Sequence, residues 1–205
     1  MSLHGPDTGT IHFPLDEESG GSWIALTDDS RSVCLLNGAF NSFAPAPPYR
    51  ISRGQVVIDA ARSNNIAQFI DEYTLTGIAP FTMLIFEKNN FNQLIWDGEH
   101  MHSQLLPIDQ PQIWSSVTLY SPEVRAYRKS LFQNWLKERT MFDREAIIRF
   151  HQFSNDDPEN GFIMNRNNIV KTLSITGIEI RSDQSSMIHI DLENNVGEEV
   201  MIRYE

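Results

Sequence analysis

Few side chains in this sequence could do covalent or metal chemistry. Cys34 is the sole cysteine. It sits inside the apolar run Val33-Cys34-Leu35-Leu36, where a thiol is expected to be buried and inert. His100-Met101-His102 puts two imidazoles at i and i+2, on one side of a strand. Zinc would need a further ligand. His189 and Asp191 are of the right type, but no spacing selects either, so no metal and no cofactor is expected. Asp156-Asp157-Pro158-Glu159-Asn160 has the carboxylates of a calcium loop, yet its proline and spacing miss the EF-hand pattern. It reads as a solvated acidic loop. Neither a Gly-x-Ser-x-Gly elbow nor a phosphate loop occurs.

Composition narrows the partners. Sixteen Lys+Arg stand against 27 Asp+Glu, a formal net charge of -11. A basic footprint for nucleic acid is therefore missing, and an anionic membrane surface has nothing to attract. Hydrophobic residues make up 40% of the 205, enough for a sizeable core. A single cysteine excludes an intramolecular disulfide and suits a reducing, cytoplasmic compartment. The longest apolar runs, Val33 to Leu36 and Thr82 to Phe86, are too short to cross a bilayer, so no membrane insertion is expected. The first ten residues are polar and lack the apolar stretch of a signal peptide. The length fits one domain over residues 1–205. Oligomeric state and organism have no signature here.

The elements that would position these residues alternate in blocks. Thr10 to Phe13, Ser22 to Thr27 and Ser32 to Ala39 carry strand patterns, the last two joined by the turn Asp28-Asp29-Ser30-Arg31. Asn41 to Tyr49 holds Pro45, Pro47 and Pro48 and reads as irregular loop. Ser52-Arg53-Gly54-Gln55 fits a capping box, the serine oxygen on the Gln55 amide and the Gln55 side chain reaching back. The helix it opens, with Val56, Val57, Ala60 and Ala61 as its stripe, breaks at Ser63-Asn64-Asn65. A second helix follows through Ile66, Phe69, Ile70 and Tyr73. Phe81 to Glu87, Gln93 to Trp96 and His100 to Leu106 are strands, with Asp97-Gly98 as a two-residue hairpin turn. Gln112 to Leu119 is a fourth candidate. Ser121 caps a helix to about Arg139 with Pro122 at its first position, and Asp143 caps another to Phe153. Phe162 to Asn165, Val170 to Ile180, Met187 to Glu193 and Glu199 to Tyr204 close the chain as strands. Segregated blocks with hairpin-length turns imply an α+β fold with mainly antiparallel sheets.

Several fragments, in this order, resemble a known family: Gly20-Gly21-Ser22-Trp23, Val33 to Phe40, Tyr49 to Gly54, Ile113 to Tyr120 and Asn160 to Arg166. Over about residues 11 to 180 the chain is similar to the NRDE family, also called the Transport and Golgi Organisation family. The resemblance implies an N-terminal nucleophile hydrolase-like fold, an αββα four-layer sandwich of two antiparallel sheets between helical layers. Enzymes of that superfamily attack an amide carbonyl with an N-terminal cysteine whose own α-amine is the base. Family members begin Met-Cys and carry Asn-Arg-Asp-Glu some twenty residues later. This sequence begins Met1-Ser2-Leu3, which resembles a cloning remnant, and contains no Asn-Arg-Asp-Glu. The expectation is a domain truncated at its N-terminus, without the family's first strands.

The resemblance also implies site residues. Asn37 falls where amidases of the superfamily place an oxyanion-hole asparagine; the alternative is that it caps a turn before Gly38. Ser116 matches a position that is asparagine in the family. Trp23 and Trp114 are binding candidates or plain core. Arg53 either faces a ligand carboxylate or is solvated in the first helical turn. The implied activity is hydrolysis of linear C–N amides by a cysteine outside this chain, so the chain itself is expected to be inactive. The alternative is a non-enzymatic binding or trafficking protein for haem or acyl lipids. In both readings the expected partner is a small-molecule amide or acyl ligand; a third reading is an interaction domain with no small-molecule site.

Overall fold

A computed structural model describes residues 10–153 and 157–204. Met1 to Leu3 and Asp156, both singled out above, lie outside the described residues. The chain is α+β with antiparallel sheets, as the block order implies. It forms two compact units. One takes in the described residues up to Gln112 together with Ser116–Leu119, the other Ile113–Ser115 and the described residues from Tyr120 onward.

The first unit is built on a six-stranded antiparallel sheet, ordered as in the sequence. Its strands are β1 (Ile11–His12), β2 (Ile24–Thr27), β3 (Ser32–Asn37), β4 (Phe81–Glu87), β5 (Asn90–Trp96) and β6 (Met101–Leu106). Helices α1 (Arg53–Arg62) and α2 (Ile66–Glu72) are inserted between β3 and β4, which still pair directly. Cross-strand partners Ala25 and Val33, Val33 and Ile85, Leu35 and Met83, Met83 and Leu94, and Phe81 and Trp96 put their side chains on one face. That face packs with Val56, Val57, Ala60 and Ala61 of α1 and Ile66 and Phe69 of α2 into one core. Each fully buried side chain of this size contributes about 1.5–3 kcal/mol.

Helix α1 is clamped at both ends. At its start, Gly54 lies backbone to backbone against Gly21. A Cβ on Gly21 would sit 2.5 Å from the Gly54 carbonyl carbon, and a Cβ on Gly54 would sit 2.9 Å from the Ser22 nitrogen. The Ser22 amide donates to the Gly54 carbonyl at 3.1 Å. At its end stands Arg31, only 2% exposed. Its guanidinium pairs with Glu87 at 2.6–2.7 Å. It also donates to the carbonyls of Ala60 and Ala61, which the helix end leaves without intrahelical partners, and to the Asn64 carbonyl just beyond the helix. The second Glu87 oxygen accepts from the Ile66 amide at the start of α2.

Three local expectations in this unit need correction. The Ser52 oxygen accepts from Gly54, not Gln55, and the Gln55 side chain bonds Asp59 along the helix instead of reaching back. The two-residue hairpin turn is Lys88-Asn89, both at positive φ. Asp97-Gly98 belongs to a wider loop, because the Asp97 carboxylate accepts from the amides of Glu99 and His100 and opens the turn. Gln112 to Leu119 forms no strand. Instead Ser116 donates to the Asn37 carbonyl at 2.8 Å. Gly38, at φ +93°, lets Val117 and Thr118 approach to where a Cβ would meet them at 3.1 Å.

The second unit holds α3 (Pro122–Lys137), α4 (Arg144–His151), the short pair β7 (Asn165–Arg166) and β8 (Val170–Lys171), and the sheet of β9 (Ser174–Ile180), β10 (Gln184–Asp191) and β11 (Val196–Arg203). The sheet order is β11-β10-β9, antiparallel. Ser121 and Asp143 cap α3 and α4 as expected. Ile148 of α4 packs onto Gly177 of β9. The stretch Val170 to Ile180 is two strands, not one. The Thr172 hydroxyl accepts from the Met164 amide and donates to the Phe162 carbonyl, and pairing is interrupted there. The same contacts hold Phe162 to Met164 outside any strand. The apolar stripe of α3 is not deeply buried. The buried residue of that helix is Arg128, which donates to Ser115, Asn160 and Gly161 and lies 4.4 and 4.2 Å from the Tyr120 and Phe162 ring centres. No helix among the described residues is long and apolar enough to cross a membrane.

Arg31→Met should cost about 3–5 kcal/mol of stability, because it leaves Glu87 buried without a counter-charge. Adding Glu87→Met should recover part of that loss in urea unfolding, and a loss under about 1 kcal/mol would remove the pair from its role. Gly21→Ala should cost about 1–3 kcal/mol, since only backbone can yield to the new methyl. An unchanged midpoint would contradict the close approach. Burial pushes the Cys34 thiol up to about 11. Its alkylation by iodoacetamide should therefore accelerate toward pH 11, above the ordinary thiol range. Stability should fall over the same window, because the unfolded thiol ionises first. Rapid labelling at pH 8 would show that the thiol is accessible and ionised.

Candidate functional site

The clamp at the start of α1 opens a cleft in the first unit. Its volume is about 430 Å³, and it lies among the approach to β2, the end of β3 and the first turn of α1. Asp16, Ser19, Ser22 and Trp23 come from the first, Leu35, Leu36 and Asn37 from the second, and Ser52, Arg53 and Gly54 from the third. Ser116 and Leu119 complete the lining. Because Gly21 touches Gly54, the neighbours of these two glycines, Ser22-Trp23 and Ser52-Arg53, are brought to one place.

Asn37 ends β3 and is exposed. Its backbone carbonyl is engaged by Ser116, and its side-chain amide makes no hydrogen bond among the described residues. It therefore does not cap a turn through its side chain. Arg53 is half-buried, and one guanidinium nitrogen donates to the Pro80 carbonyl at 3.2 Å. Burial lowers its pKa, and the neighbouring Tyr49 opposes that shift. No carboxylate is paired with it among the described residues. Trp23 is half-buried. Trp114 belongs to the second unit. The proline segment Pro45 to Pro48 is absent from the lining.

The hydroxyls in the cleft are committed to structure. Ser22 is shared between the carbonyls of Pro14 and Ile24 at 2.7 and 2.8 Å. Ser52 caps α1, and Ser19 donates to Asp16 at 2.7 Å. Ser116 also lies 3.0 Å from the Thr118 hydroxyl. Among the described lining residues there is no cysteine, histidine or lysine, and the one carboxylate beside a hydroxyl is Asp16, which also accepts from the Glu18 and Ser19 amides of its own loop. The sequence pointed to Trp23, Asn37, Arg53 and Ser116. It missed Asp16, Ser19 and Leu119, whose arrival depends on loop closure, whereas Gly54 could have been inferred from the paired glycine motifs.

The other constellations dissolve. Cys34 pairs across the sheet with Ile24 and Leu84 and does not line the cleft. His100 precedes β6, so it does not share a strand face with His102. His102 instead bonds Asp97 at 2.7 Å, and the His100 amide followed by that bond holds the carboxyl well below its usual range. Asp157 accepts from the amides of Glu159 and Asn160 in a tight turn. No group of three metal-ligating side chains occurs among the described residues. A second cavity of about 450 Å³ beside Asp28, Asp29 and Arg62 is walled by the Arg31 clamp. Its Asp28 carboxylate is already held by the Thr10 amide and His12.

The sequence was compared with family models and with curated proteins. No curated protein matches it. The model of the family described as Transport and Golgi organisation 2 matches residues 1–195, which takes in every residue of the cleft. The chain belongs to the Transport and Golgi organisation 2 family.

Proposed function

We propose that the cleft binds a small molecule bearing an amide or acyl carbonyl, with the Asn37 amide donating to its oxygen. The observation that carries this reading is the Asn37 carboxamide itself, a polar group lining a concave site with no protein partner among the described residues. A ligand site of this kind is a mostly apolar hollow with a few placed polar groups. Here Trp23, Leu35 and Leu36 supply the apolar surface. Because the lining hydroxyls are engaged by backbone, by helix capping and by Asp16, binding is the function the cleft supports directly. Carriage of haem or an acyl lipid is one form of that role.

The second reading is an amidohydrolase of the N-terminal nucleophile type. What favours it is that a neutral side-chain amide is suited to a developing oxyanion, because it stabilises charge without titrating. In that reading the cysteine nucleophile enters from outside the described lining, and Asn37 acts on the tetrahedral intermediate. The described residues alone are then inactive.

Binding of N-benzoylglycinamide, a neutral amide with an aromatic group, is measured by calorimetry. Asn37→Ala should weaken it about five- to tenfold, the worth of one neutral hydrogen bond, and should leave the melting temperature nearly unchanged. Equal affinity in the variant would take Asn37 out of the site. Turnover of an N-acyl amide by this chain, lost on Cys34→Ala, would overturn the binding reading.

A further inference from the structure

We propose that Arg53 is the anion site of the same cleft, so that the ligand carries a carboxylate as well as the carbonyl that Asn37 meets. This rests on the cleft being a ligand site. Three other arginines with little exposure are matched, and half-buried Arg125, which like Arg53 has no described ion pair, does not line the cleft. Arg31 is matched by Glu87. Arg144 is matched by Glu199 and Glu145. Arg128 donates to two carbonyls and a hydroxyl and is sandwiched by two aromatic rings. Arg53 has a single described bond, to the Pro80 carbonyl, although a guanidinium carries five donors.

The chain has 27 acidic residues, yet none is paired with Arg53 among the described residues. A guanidinium partly withdrawn from water with most of its donors unspent is poised for a planar anion, which it grips through two parallel hydrogen bonds. The one acid in the cleft does not compete. The Asp16 carboxylate is turned onto its own loop, accepting from the Glu18 and Ser19 amides and the Ser19 hydroxyl. Arg53 is also the only cation among the described lining residues. One positive charge in a chain of net charge -11 suits a monoanion such as a carboxylate better than a phosphate dianion. Trp23 and Leu36 then face the apolar part of the ligand.

The test compares N-benzoylglycine with N-benzoylglycinamide, which differ only in the carboxylate, by calorimetry on the same protein. Wild type should bind the acid at least about tenfold more tightly, the range of a charge-assisted pair. Arg53→Gln should abolish that preference by weakening the acid at least about tenfold more than the amide, and Arg53→Lys should keep part of it. Raising salt should weaken the acid and spare the amide, a readout on wild type that stands even where a variant fails to fold. Equal binding of acid and amide by wild type overturns the Arg53 proposal and leaves the cleft reading intact. Binding of neither overturns both. Displacement of the acid by equimolar inorganic phosphate overturns the choice of a carboxylate.

Discussion

The contact between Gly21 and Gly54 is the constraint from which the first unit takes its form. Two backbones meet with no side chain between them, closer than any Cβ would permit. That contact sets where α1 begins relative to β2. The Ser22 amide seals it by donating to Gly54. The placement of Trp23 and Arg53 in the cleft follows from this contact, because each is one or two residues from the meeting point. Glycine is required at Gly21 and Gly54 for closeness, not for unusual backbone angles.

The far end of α1 is held by different physics. Arg31 and Glu87 are both withdrawn from water, and such a pair is tolerable only when its remaining hydrogen bonds are filled. They are filled by the ends of two helices. Arg31 takes the open carbonyls of α1, and Glu87 takes the first amide of α2. The pair therefore sets the angle of the helical break at Ser63 to Asn65 while joining β3 to β4. Both ends of α1, including the end that lines the cleft, are therefore held by contacts with the sheet.

The groups lining the cleft fall into those already engaged and those left open. Its hydroxyls are spent on backbone carbonyls and helix capping, and Cys34 is held protonated within the sheet. What is left over is an amide, a guanidinium and apolar surface. Those are the groups that the proposed carbonyl-binding role would use. They are also what an acyl-transfer site contains apart from its nucleophile, which is why family membership and the described geometry are compatible with both readings.

Much of the local structure was legible in the sequence. The caps Ser52, Ser121 and Asp143, the alternation in Phe81 to Glu87 and the break at Ser63-Asn64-Asn65 each follow from neighbours in the chain, and local chemistry decides them. The ordered glycine and tryptophan fragments also pointed to four of the cleft residues. Where side chains reach across turns, the sequence was silent. Asp97 could choose the amides beyond it over a tight turn, and Thr172 could interrupt a strand by bonding Phe162 and Met164. The segment Gln112 to Leu119 carries a strand pattern, yet Ser116 docks on β3 because Gly38 leaves room there. Arg53 had two readings in the sequence, solvated or facing an anion. Local pattern could not separate them, because its burial and its lack of a carboxylate partner arise only when α1 is pressed onto Gly21. Composition, helix caps and strand alternation are properties of short windows of chain. A cleft is made by distant backbones in contact, and tertiary packing alone decided it.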